Sequence, residues 1–160
     1  MAKKIHKFGG FTVGTANVQI DLNLDRLSDQ FNKAQFALDS MVMTSMEPFM
    51  PKDDGSFIEK TKSESASMAG TGQVCAGKGD EARFLYEGKV MVDEKTGSPF
   101  ASAGAKKVIV SQYAGKTKAK ENIVYSTHKN PKAQPHWFDA AKSADGDNWI
   151  RTTKKIAGGG

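Results

Sequence analysis

The chain carries a single cysteine, Cys75, so no intramolecular disulfide can form, and a buried or idle thiol is the expected role for it. Long apolar runs are missing too. None reaches the roughly 18 residues that a membrane-spanning helix needs, and the basic start Met1-Ala-Lys-Lys-Ile5 is not followed by the apolar stretch of a secretory signal. The expectation is a soluble chain made in a cytoplasm. Apolar residues make up only 38% of its 160 positions, and mean hydropathy is -0.51. That predicts one domain with a modest core and long polar excursions, some of which order only against partners.

Motifs for chemistry are equally scarce. No Gly-x-Ser-x-Gly elbow accompanies the serines and three histidines, so nucleophilic catalysis has little support. The glycines at 70, 72, 77 and 79 do not form a phosphate-cradling loop, because no Gly-Lys-Ser/Thr follows them at a strand-to-helix junction. His128 and His136 are the clustered candidates for metal binding, and no third His or Cys stands at a usual spacing, which favours a structural or surface role. The acids Asp53-Asp54, Glu81 with Glu87, and Asp93-Glu94 adjoin turn residues or solvated helix faces and read as solvated rather than as acid/base pairs. The expectation is a chain that is not an enzyme and takes no metal or cofactor.

What is present is unevenly placed charge. Lys and Arg against Asp and Glu number 5 to 5 over residues 1–50, 7 to 9 over 51–104, and 11 to 4 over 105–160. The whole excess of +5 therefore lies in the last third. Lys106, Lys107, Lys116, Lys118 and Lys120, with Tyr113 among them, form a candidate contact for nucleic acid or for an acidic protein surface. A solvated loop is the commoner reading of such a run.

Along the chain, residues 1–20 read as an N-terminal arm with one possible strand at Val18 and Ile20. Residues 21–157 read as a single domain and 158–160 as a flexible tail. From Asp25 the apolar period becomes helical: Leu27, Phe31, Ala34, Leu38 and Met41, widened by Phe36 and Met43, predict a helix over Asp25 to Met46 that ends before Pro48 and Pro51. Pro51 to Phe57 is a turn by composition. Weak alternation around Gly70-Thr-Gly72 suggests a two-stranded hairpin, Asp80 to Gly88 a short helix with a glycine cap, and Lys89 to Asp93 a strand. Ile123 to Tyr125 reads as the last strand. Pro135 suits the first turn of a C-terminal helix on which Phe138, Ala141, Trp149, Thr152 and Ile156 share a face, with Trp137 and Ala144 flanking and Gly146 a point of bending. The Trp137, Phe138 and Trp149 cluster is core before it is anything else.

Three blocks, taken in order, give the chain a resemblance. Met50-Pro51-Lys-Asp-Asp54-Gly55-Ser-Phe57 is the first, Ala82-Arg83-Phe-Leu-Tyr86-Glu-Gly88-Lys-Val-Met-Val-Asp93 with Lys95-Thr-Gly-Ser-Pro99 the second. Tyr125, His128, Pro131, the run Ala133 to Lys142 with Pro135, Trp137 and Phe138, and Asp147-Asn-Trp149 make the third. Over residues 22 to about 155 they resemble the minor capsid protein family of long-tailed bacteriophages, a group of head-tail connector, neck and tail-completion proteins. Asp54, Phe57 and Gln134 depart from the family pattern, which has Thr, Leu and often Gly there.

The resemblance implies an α+β fold, with a long N-terminal helix and a C-terminal helix packed on a small antiparallel sheet. It also implies a structural virion protein at the head-tail junction, in a closed ring, commonly of six subunits. The ring would join the connector to the tail terminator or tail tube around a DNA channel, and the resemblance supplies no catalytic residue. Pro51, Gly55, Arg83, Tyr86, Gly88, His128, Pro131, Pro135, Trp137, Phe138 and Trp149 become the fold's signature positions. A free basic nucleic-acid-binding protein and a capsid-decoration or tail-tube protein stay open as alternatives.

Overall fold

A computed structural model describes residues 5–100 and 104–158. In chain order it has strands β1 (Phe11–Gly14) and β2 (Gln19–Leu22), helix α1 (Asp25–Met46) with a single 3-10 turn at Glu47–Phe49, α2 (Ser56–Met68), α3 (Ala82–Glu87), β3 (Met91–Asp93), β4 (Lys107–Ile109) with a 3-10 turn at Val110–Gln112, and α4 (Trp137–Gly158). The class is α+β, with β1–β2 and β3–β4 as two separate antiparallel pairs rather than one small sheet. The chain divides into two compact units. The first takes the described parts of residues 1–45, 62–75 and 142–160, the second those of 46–61 and 76–141.

In the first unit α1 runs over the span its periodicity predicts, started by the Asn23 side-chain oxygen accepting the Asp25 backbone N–H at 2.7 Å. Its buried positions are Ala34, Asp39, Val42, Met43 and Met46, whereas Phe36 points outward and is exposed. The C-terminal half of α4 meets α1 at Trp149, whose indole N–H donates to Ser45 Oγ at 3.1 Å. The arm is more ordered than composition suggests. β1 and β2 pair in register from Phe11↔Leu22 to Gly14↔Gln19, closed by the Thr15 N–H donating to Val18 O at 2.7 Å.

The predicted hairpin around residues 61–79 is not formed, because α2 occupies its first part. Ile58, Thr61 and Ser65, with Ala69 just past the end of the helix, recur at helical spacing and are buried, so the helix has an inner face with two hydroxyl side chains in it. Their hydroxyls are matched locally: Thr61 Oγ1 donates to Phe57 O at 2.8 Å and accepts the Lys78 N–H at 3.0 Å, and the Cys75 N–H donates to Ser65 Oγ at 3.1 Å. A period written in Thr, Ser and Ala carries little hydropathy signal, which is why the stretch reads as weak alternation and a hairpin instead of a helix.

In the second unit α3 ends on Gly88 in the left-handed region (φ 66°), with the Lys89 N–H donating to Phe84 O at 3.1 Å. β3 pairs with β4 from Met91↔Ile109 to Asp93↔Lys107. Ile123–Tyr125 does not form the predicted strand. It is held by the Ile123 N–H to Gly88 O at 2.9 Å and an isolated bridge between Lys89 and Asn122. α4 begins at Trp137, two residues beyond Pro135, because His136 has a positive φ of 50° that no helix accepts. It then runs through Gly146 to Gly158 without the interruption that Gly146 suggests, and Gly159 and Gly160 of the predicted tail lie outside the described residues.

Candidate functional site

Some of the signature positions meet in the second unit around buried Trp137 and Gly88, with half-buried Tyr86 and Pro135 beside them. Trp137 is completely buried, its indole N–H donating to Ala76 O at 2.7 Å, with Tyr86 edge-on at 4.9 Å and Phe57 edge-on at 5.9 Å. Gly88 is there because nothing larger fits: a Cβ on it would lie 2.9 Å from Pro135 Cβ, at a φ that side chains resist. The Tyr125 hydroxyl donates to Leu85 O, and the His136 N–H donates to Tyr86 O at 2.8 Å, tying the last loop to α3. Burial raises the pKa of both tyrosines, Tyr86 helped by the neighbouring Asp139 and Glu87 charges, so both phenols stay neutral donors near neutral pH.

Asn130, which sequence reasoning missed, fastens the first block. Its amide donates to Glu47 O at 3.0 Å and Met50 O at 2.6 Å, while the Gln134 N–H donates to Phe49 O at 3.0 Å. Pro51, Gly55 and Phe57 line a shallow cleft of about 410 Å³ with Leu85 and Ile123 to Ser126. Arg83, His128 and Pro131 are exposed, Phe138 is half-buried, and Trp149 is buried in the first unit.

The histidines and acids set apart by sequence do not converge. His128 lies on the surface, while His136 faces Glu87 at 3.9 Å and Tyr86 edge-on at 5.1 Å. Among the described residues no three His, Cys, Asp or Glu side chains are grouped to hold a metal ion. Asp54 and Asp93 are turn-formers. The Ser56 backbone N–H holds the Asp54 carboxyl below the usual carboxylate range, and the Thr96 and Lys95 backbone N–H groups do the same for Asp93, each at 2.8 Å. The first unit has its own carboxylate anchor, also unpredicted. Buried Asp39 accepts the Gly70 and Gly72 N–H groups at 2.8 and 3.1 Å and the Gln35 amide at 2.8 Å, and so fixes the turn after α2.

The basic candidates separate into two kinds. Lys106 is paired with Glu94 at 2.7 Å, and Lys89 takes up Glu121 at 3.1 Å. Lys107 sits opposite Asp93 in the β3–β4 register, with its side chain exposed. Tyr113 is not displayed for stacking. Its half-buried ring lies against two glycine backbones, such that a Cβ on Gly97 would come within 2.4 Å of it and one on Gly115 within 2.7 Å. Lys116, Lys118 and Lys120 are exposed and alternate with half-buried Thr117 and Ala119.

The N-terminal arm supplies a different surface, one that charge counting does not reveal. The cross-strand pairs Phe11–Leu22 and Val13–Ile20 share one face of the β1–β2 hairpin. The other face carries Thr12 bonded to Asp21 at 2.5 Å and Gln19 bonded to Asp21 at 3.0 Å. Phe11, Val13, Val18, Ile20 and Leu22 are each between 41% and 58% exposed. The hairpin is rooted on α1 by two bonds between Asn32 and the His6 backbone (3.1 and 2.8 Å), by the Phe8 N–H to Ser28 Oγ at 2.9 Å, and by the edges of His6 and Phe8 against Phe31. Compared with known proteins, the chain matches no family model, no curated protein and no solved structure.

Proposed function

We propose that the chain is a structural virion protein of a long-tailed bacteriophage, which assembles with copies of itself into a ring at the head-tail junction, joining connector to tail around a DNA channel. The three blocks of resemblance supply the phage context. The observation that carries the assembly role is the apolar face of the β1–β2 hairpin, held out on a fixed root with five large side chains uncovered.

A two-stranded hairpin is at best marginally stable in water, and its two outer edges invite further pairing. Apolar side chains gathered on one face of such an element mark a surface that another subunit covers. In a ring each subunit offers one flank to the next, and a rooted arm reaching onto a neighbouring copy provides that contact. The signature residues then act as scaffold: Trp137, Tyr86 and Gly88 hold the second unit in shape, and assembly is delegated to the periphery.

The test is a double substitution on the apolar face, Val13→Lys with Ile20→Glu, which keeps opposite charges across the strand pair, followed by the mass in solution with and without the connector and tail proteins. Assembly is expected to fall at least tenfold while the unfolding free energy stays within about 0.5 kcal/mol of the parent, as is usual for exposed positions. A variant that assembles as well as the parent contradicts the role given to the hairpin.

A further inference from the structure

We propose that Lys116, Lys118 and Lys120 form a sequence-independent contact for the phosphate backbone of double-stranded nucleic acid. Over residues 105–121 there are five lysines and one acid, Glu121, and that acid is engaged by Lys89, while Glu94 is engaged by Lys106. Lys116, Lys118 and Lys120 are thus left without a carboxylate among the described residues.

The segment is nevertheless held in place. Tyr113 is wedged against Gly97 and Gly115, Thr117 Oγ1 donates to Gly97 O at 2.7 Å, and the Ala119 N–H donates to Thr117 Oγ1 at 3.1 Å. Thr117 and Ala119 turn inward, so the three lysines between and beside them turn out. Lys116 and Lys118 stand two residues apart, at most about 6.6 Å along the chain and of the same order as neighbouring phosphates on one strand, and the chain bends at Ala119 before Lys120. Fixing like charges side by side opposes folding slightly, and a polyanion relieves the repulsion.

Phosphate fits better than an acidic protein surface. Protein interfaces are depleted in lysine and depend on buried aromatic or apolar anchors. This stripe has none, since Tyr113 is turned into the fold and Thr117 and Ala119 are small. Lysine ammonium groups act as point charges without directional forks, which suits backbone contact and not base reading. With no aromatic offered for stacking, duplex is expected to bind at least as well as single strand.

The site does not depend on the ring reading, because it lies within one subunit. Its test is binding of the purified full chain to a random-sequence 20-base-pair duplex from low to moderate salt, beside two charge-matched triples. One is Lys116→Glu, Lys118→Glu, Lys120→Glu; the other is Lys142→Glu, Lys154→Glu, Lys155→Glu on α4, where all three side chains are also exposed. The parent is expected to bind with a log K against log salt slope near -3, about -0.9 for each phosphate contacted. The first triple loses tenfold or more in affinity and flattens the slope, the α4 triple keeps both, and neutral Gln variants at 116, 118 and 120 fall between.

Equal losses in the two triples would reduce the effect to net charge and overturn the proposal, as would unchanged binding in the first. Tighter binding to poly-glutamate than to duplex at the same salt would overturn the choice of partner. Assembly mass, measured in parallel on the same triples, reports separately on the ring.

Discussion

Trp137 shows how one side chain can set the shape of a unit. It fills the space among α3, the first turn of α2 and the start of α4, with Phe57 and Tyr86 edge-on and a bond to Ala76 O. Removing it leaves a cavity and an unsatisfied carbonyl, so Trp137→Ala should cost about 3–5 kcal/mol in chemical denaturation, and Trp137→Phe clearly less. A loss under about 1 kcal/mol for the alanine variant would mean that the aromatic cluster is not the centre of that unit. Trp137 was legible in sequence, because an aromatic beside a proline-started helix has few other places to go. Asp39 was not: it falls on the apolar stripe of α1, and only the fold brings the Gly70 and Gly72 N–H groups to it. Phe36 errs in the opposite direction, an apolar residue placed on the core face by spacing and found exposed.

At the scale of elements, the long helices, the short glycine-capped α3 and the strand β3 were readable, and α2 was not. The periods in α1 and α4 are written in large apolar side chains, and both helices form over nearly the expected spans. α2 hides its face in Thr61, Ser65 and Ala69, and the β1–β2 hairpin has its apolar residues on a surface that a lone subunit does not bury. The β3 to β4 connection offers a pH test. Asp93 is a buried turn carboxylate whose pKa is depressed by the Thr96 and Lys95 N–H groups. Its contribution is therefore fully present above the unfolded value of about 3.9 and is lost as pH falls through the lower folded value. Asp93→Asn should be less stable than the parent at pH 7, with the gap narrowing as pH falls below about 4. Urea titrations of both proteins at pH 7, 5 and 3 measure it, and a gap that stays constant across the three would contradict the turn's role.

For the whole molecule, the division of labour is between packed interior and displayed surface. Of the positions that carry the resemblance, Gly88 and Trp137 are buried in the second unit, Tyr86 and Pro135 pack beside them, and Arg83, His128 and Pro131 are exposed. The displayed surfaces, an apolar hairpin on the first unit and a lysine stripe on the second, were legible only in part. Charge excess pointed to residues 105–120, but it did not distinguish Lys106, already paired, from the three that are not. The measurement closest to the central proposal is the mass of the purified protein in solution, alone and mixed with the connector and tail proteins it is proposed to join. The account predicts a discrete closed multiple of the 17.3 kDa subunit, either alone or on mixing. A chain that remains at 17.3 kDa in every mixture would contradict it.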